Sequence, residues 1–249
     1  MLELPLIPVT PNPDIRTLEI DDEGRRYVVV DNFLTDPQSL VSYAAGNAGM
    51  FYRERVGHAG RSPDLGAAAI EELQRFVRST LSGFFPFHRT GVTLKVFFSN
   101  VSLKPEELSS YHRICHVDPR LSPGHRTYAG VIYLFANPEL GGTAFYRWKA
   151  RDVAVRAYQI AMLESDEVAL QFLEQHSAVF RKPAEYMTSS NDIAELLCVA
   201  PPCFNRLVFY DGESPHSLHI TRPELLNQDP TRGRLTLNLI ANVTAKDLS

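Results

Sequence analysis

Cysteine is scarce in this chain: Cys115, Cys198 and Cys203 are the only three in 249 residues. Their number is odd and no Cys-x-x-Cys pair occurs. That argues against a disulfide framework and favours a reducing compartment. Charge is not concentrated either. The formal net charge is -4 and no run of five or six Lys or Arg occurs, which argues against nucleic acid as the main partner. Long hydrophobic runs are missing: no stretch approaches the ~18–20 apolar residues that cross a bilayer. The opening MLELPLIPVTPNPD has neither the basic start nor the long apolar core of a secretory signal. A cytoplasmic location without a membrane partner is therefore expected. Internal repeats and low-complexity tracts are also absent.

What is present is an ordinary globular composition, 44% hydrophobic and 22% charged, with enough chain for one domain and a large core. The first fourteen residues carry four prolines and are expected to lie extended on the surface. RRYVVVDNFLTDP predicts a strand that stops at a helix start, with Thr35 or Asp36 as cap and Pro37 in the first turn. Ser62 and Pro63 are expected to open a second helix running through DLGAAAIEELQRFVRSTL, where Ala68, Leu73, Phe76, Val77 and Leu81 share a face.

Beyond Gly91 the period changes to two. VTLKVFFSNVSL, YHRICHVD, TYAGVIYLF and GTAFYRW are strand-length segments divided by Pro, Gly and Ser turns. Residues 149–202 are mixed and partly helical (SDEVALQFLEQHSAVF, SNDIAELLC), and strands resume with NRLVFYD, HSLHI and RLTLNLIANV. The expectation is a single α+β domain, mainly β, over 1–249. Residues 15–90 supply an N-terminal strand and supporting helices, 92–148 and 203–244 the β core, and 149–202 an insertion.

The chemistry is expected in YHRICHVDPR. Side chains two apart on an extended chain share a face, so His116 and Asp118 project together. A buried carboxylate there needs a partner. An imidazole and a carboxylate are two thirds of the two-histidine, one-carboxylate set that holds Fe(II) on one side and leaves the other open. A surface histidine beside an Asp-Pro turn is the plainer alternative. A further histidine must come from elsewhere, and His216 in NRLVFYDGESPHSLHI begins a strand after a turn; His219, three positions on, faces the other way. In RLTLNLIANV, Arg234, Thr236 and Asn238 share one face and Leu235, Leu237 and Leu239 the other. A guanidinium leading the polar face is suited to gripping a carboxylate by two parallel hydrogen bonds; a solvated surface arginine is the alternative.

The order HVD, YAGVIYLFANPELGGTAFY, NRLVFYDGESPHSL and RLTLNLIAN resembles the Fe(II)- and 2-oxoglutarate-dependent oxygenases, nearest their prolyl-hydroxylase-like branch, over about residues 92–243. The resemblance implies a double-stranded β-helix (jelly roll). It implies His116, Asp118 and His216 as iron ligands, and Arg234 as the anchor of the distal carboxylate of 2-oxoglutarate, with Arg222 and Arg232 as alternatives. Tyr133 would assist at that carboxylate, and Gly141 and Gly142 match a turn. With Fe(II) as the bound cofactor, 2-oxoglutarate and O2 would be consumed in a hydroxylation or related desaturation, with ascorbate as an accessory reductant. Halogenases of the family replace the carboxylate ligand with a small residue; here Asp118 is present. The substrate, a small molecule or a peptide or amino acid, is not specified.

Insertion 149–202 is expected to control substrate choice without touching metal or keto-acid binding. Arg147, Lys149, Arg151 and Arg156 are open to two readings, a basic rim or lid for an acidic substrate and a plain solvated face; a homodimer contact is the other role open to the insertion. Two other classes stay open: a cupin-like metal-dependent isomerase or dioxygenase that uses no 2-oxoglutarate, and a non-catalytic binding protein on the same fold.

Overall fold

Strand alternation decides the architecture. Along β7 (Arg206–Asp211), Leu207 and Phe209 turn to one hydrophobic cluster and Val208 and Tyr210 to another, so this strand is buried on both faces. The computed structural model describes residues 4–54, 60–120 and 123–244. Its larger sheet is antiparallel and six-stranded. In order it holds β1 (Ile15–Glu19), β2 (Arg26–Val30), β7, β4 (His125–Tyr133), β9 (Arg234–Thr244) and β3 (Thr93–Val101). The smaller antiparallel sheet runs β6 (Ala194–Ala200), β5 (Gly142–Trp148) and β8 (His216–His219).

Helices α1 (Pro37–Gly46) and α2 (Glu71–Ser79) cover one face of the large sheet. Leu40, Val41, Leu73, Phe76 and Val77 pack there with Val28, Val30, Phe209 and the three leucines Leu235, Leu237 and Leu239. The opposite face meets the small sheet, where Val29, Ala129, Tyr133 and Val208 gather with Phe145 and Ala200. The polar face of β9 therefore looks into the space between the sheets. Helices α3 (Arg151–Leu163) and α4 (Asp166–His176) form a hairpin beside the small sheet. No helix among the described residues is long and apolar enough to cross a membrane.

The start of α1 follows the sequence. Asp36 accepts a hydrogen bond from Ser39 N at 3.1 Å and Pro37 occupies the first turn. Residues 4–14 run along the surface without helix, as expected, but are tied down where Ile7 is buried in the core and Val9 bridges Leu34. Several other expectations are corrected. No helix opens at Ser62. The backbone of Ser62 and Leu65 bonds to Phe98 and Val96, and Ser62 Oγ accepts from Phe98 N at 3.0 Å. That segment covers the β3 edge, whose unpaired amides need partners, and the helix waits until Glu71.

SNDIAELLC is strand β6 and not helix. Asn191 Oδ1 accepts from the amides of Ile193 and Ala194 (2.8 and 3.0 Å), an Asx turn that launches the chain along β5. Strand β6 thus lies inside 149–202 yet is a member of the small sheet, and the helical excursion ends before it. Finally, YHRICHVD is no regular strand: it begins as a tight 3-10 turn over Ser110–Arg113 and then runs extended.

Candidate metal centre

The extended stretch after that turn is laced to the loop between β7 and β8. His116 and His216 exchange two backbone hydrogen bonds, each 2.9 Å. Asp118 N donates to Gly212 O at 2.8 Å, and Gly212 N donates to Thr127 O at 2.9 Å. The alternate residues 116 and 118 are therefore held against one turn. The two imidazole rings lie 4.4 Å apart, centre to centre, and Asp118 Oδ2 lies 3.8 Å from His216 Nε2. One ligand atom from each of His116, Asp118 and His216 falls within 4.8 Å of the others.

Two details fit this trio to a cation. His216 Nδ1 lies 2.9 Å from Ser214 O, a contact that requires Nδ1 to carry the proton and leaves Nε2 as the nitrogen that faces Asp118. Asp118 Oδ2 is buried and has no hydrogen-bond partner among the described residues. Burial pushes this carboxyl above its ordinary range, with His216 pulling it down and Asp211 adding to the rise. An orphaned carboxylate oxygen beside two imidazoles is costly to bury without a positive partner. Tyr111 and Tyr210 complete the surround, their ring centres each 4.8 Å from those of His116 and His216 respectively.

Gly212 sets how closely the turn approaches. A Cβ there would stand 2.8 Å from Asp118 Oδ2 and 2.9 Å from both Asp118 Cβ and Thr127 O. Gly212→Ala is expected to push the 116–118 stretch off the turn, costing ~1–3 kcal/mol of stability and weakening metal binding with it. Thermal melting and a metal titration on the same sample check this; an unchanged metal affinity would show that the close approach is dispensable.

The two histidines, Tyr111 and Tyr210 line a cavity of about 100 Å³ between the sheets, and Arg234 lines it too. Arg234 is 1% exposed. Its Nε and Nη2 donate to the carbonyls of Gly141 (3.2 Å) and Gly142 (2.9 Å). The turn that presents these carbonyls packs against neighbouring backbone where no side chain fits. A Cβ on Gly141 would lie 2.0 Å from His219 O, and one on Gly142 2.1 Å from Ala200 O. Among the described residues no carboxylate pairs with Arg234; tyrosines 133, 186 and 210 are the titratable groups that act on it, and burial pulls its pKa down from the ordinary value.

Of the other sequence-predicted residues, Tyr133 is buried next to Arg234 with its hydroxyl 2.9 Å from Thr143 Oγ1, and it is Thr143 that faces the cavity. Arg222 is exposed and pairs with Glu139 and Glu224, and Arg232 is exposed at the turn before β9. His219 turns away to Thr188 O at 3.3 Å. Sequence reasoning missed Tyr111, Tyr210 and Gly212. A Gly after the Asp that ends β7 signals a turn, but nothing local marks either tyrosine as part of a site.

A family described as "Family of unknown function (DUF6445)" matches residues 11–241. No curated protein matches the chain. Solved structures similar to it include a Pseudomonas putida prolyl-4-hydroxylase, 14% identical, covering 91% of this chain and 97% of that one at a TM-score of 0.44. HygX from Streptomyces hygroscopicus with nickel and 2-oxoglutarate bound is 12% identical, covering 89% and 84% at 0.47. The viral collagen prolyl hydroxylase of Paramecium bursaria Chlorella virus-1, in a 2-oxoglutarate complex, is 13% identical, covering 90% and 98% at 0.43.

Proposed function

The chain belongs to the family of unknown function DUF6445, and we propose that it is an Fe(II)- and 2-oxoglutarate-dependent oxygenase that hydroxylates a C–H bond. The observation that carries this is Arg234, a buried guanidinium without a carboxylate partner among the described residues, in the same cavity as the histidines of the trio. A divalent ion, one carboxylate and one guanidinium leave a formal surplus of two positive charges. A dicarboxylate dianion neutralises that surplus inside a low-dielectric pocket, where uncompensated charge is expensive. A cupin-like enzyme working without a keto acid would have to meet that surplus with another anion.

The residues divide the work as follows. His116, Asp118 and His216 would hold the metal, with the Nδ1 proton of His216 taken by Ser214 O so that Nε2 is the ligand atom. Arg234 has used two of its N–H donors on Gly141 and Gly142; the remaining three are available to the distal carboxylate of 2-oxoglutarate, with the Tyr133–Thr143 hydroxyl pair beside it. Val101, Ile114, Val131 and Leu218 give the cavity apolar walls, which limit water at the reacting centre. The chemistry supplied by bound metal and keto acid is the reduction of O2 coupled to decarboxylation, leaving succinate, CO2 and an oxygenated substrate. Two facing antiparallel sheets support the double-stranded β-helix as the scaffold, and three free cysteines support a cytoplasmic setting.

The test is an anaerobic titration of the Fe(II)-loaded protein with 2-oxoglutarate, followed by the visible charge-transfer band, and then succinate release on admitting O2. A band together with succinate equimolar to consumed 2-oxoglutarate is expected. Metal uptake without either would move the protein to the cupin-like class, and failure to take up metal would make it a binding protein.

A further inference from the structure

We propose that the α3–α4 hairpin is a brace that positions the first metal ligand, with Asp166 as the positioning residue; this rests on the metal trio proposed above. The backbone bonds from His116 and Asp118 secure the downstream half of the stretch 110–118. Its upstream half is secured by the helical excursion. Asp166, in the first turn of α4, accepts through Oδ1 from both Ser110 N (2.9 Å) and Ser110 Oγ (2.6 Å). Arg113 lies over the Phe180 ring at 4.7 Å and donates from Nη2 to Lys182 O at 3.2 Å. Ile114, two residues before His116, is buried in the cluster that the hairpin builds from Ala154, Ala157, Leu173 and Phe180.

The connection continues to the metal. Tyr158 of α3 meets the ring of Tyr111 at 5.8 Å, and Tyr111 meets His116 at 4.8 Å. Ser110 is 2% exposed, so without Asp166 its amide and hydroxyl face neither acceptor nor water. A carboxylate in the first turn of a helix is favoured by the helix's own field, which makes Asp166 a dependable acceptor. The proposal runs opposite to the expectation that metal binding is independent of 149–202.

Both bonds fall on one oxygen of Asp166, so an amide can replace the carboxylate while a leucine cannot. The experiment titrates the full-length apoprotein with Co2+, reading the dissociation constant and the d–d absorption spectrum, with melting and circular dichroism in parallel. Wild type and Asp166→Asn are expected to bind alike and to give the same spectrum. Asp166→Leu is expected to bind at least ~10-fold more weakly, the scale of lost outer-sphere support, with an altered spectrum, and Ser110→Ala to move the same way by a smaller factor. A change in global stability alone does not alter the spectrum of the bound ion. A folded Asp166→Leu protein with wild-type affinity and spectrum overturns the brace, and if that variant does not fold, Ser110→Ala decides on the same two readings. Wild-type protein that takes up no Co2+ overturns the metal trio instead, and the brace with it.

Discussion

Alanine at His116, Asp118 or His216 is expected to abolish tight binding of Fe(II) or its Ni(II) surrogate while leaving the fold intact. Each residue supplies one of three ligand atoms gathered within 4.8 Å, and the loss should exceed the ~10–100-fold cost of removing a mere outer-sphere partner. The fold should survive because the backbone carries the local structure: the two bonds between His116 and His216 and the bond from Asp118 N need no side chain. His112, His125 and His219 serve as controls. His219 is engaged with Thr188 O and His112 with Ser109, so their alanine variants should bind metal as wild type does. Anaerobic calorimetric titration of each variant, with circular dichroism to confirm folding, makes the measurement. Wild-type affinity in a folded His216→Ala protein would remove the trio.

Arg234→Ala is the second large effect. Removing one member of a buried charge pair costs ~2–5 kcal/mol, so 2-oxoglutarate should bind roughly 30-fold to several thousand-fold more weakly. Arg234→Lys should restore part of the loss. An ammonium supplies the charge but lacks the rigid fork that spans two carbonyls and still reaches a carboxylate. Arg222→Ala and Arg232→Ala should leave the affinity unchanged, since both side chains stand on the surface and Arg222 is already paired with Glu139 and Glu224. The charge-transfer band of the anaerobic Fe(II) protein, titrated with 2-oxoglutarate, reads all four variants. An Arg234→Ala protein with undiminished affinity would end the case for an anchor at this position.

The parts of the site that the sequence made legible are those whose chemistry restricts residue type. HVD can be read because a carboxylate two positions from an imidazole is out of place in an apolar stretch. RLTLNLIAN can be read because strict alternation puts leucines on the helix-packed face and Arg234 on the other. The expected α+β, mainly β composition corresponds to two antiparallel sheets with helices. What was illegible depends on partners distant along the chain. The Ala, Glu and Leu of SNDIAELLC favour helix locally, and the open edge of β5 overrides them. Ser62–Pro63 looks like a helix start, and the edge of β3 claims that segment instead. Tyr111, Tyr210 and Asp166 gain their places only when the sheets and hairpin come together, and no spacing along the chain announces that.

The reciprocal bonds between His116 and His216 have a bearing on how such a chain can grow. They pin two points a hundred positions apart through main-chain groups, which are indifferent to side-chain identity. For a flexible connection, doubling the length between fixed ends adds only ~0.6 kcal/mol of closure cost. Material can thus be added between β5 and β6 at little expense while the distance between the imidazoles stays where the ladder puts it. The α3–α4 hairpin occupies that interval. A stretch of chain that can be lengthened in this way lies between two residues that main-chain bonds hold together.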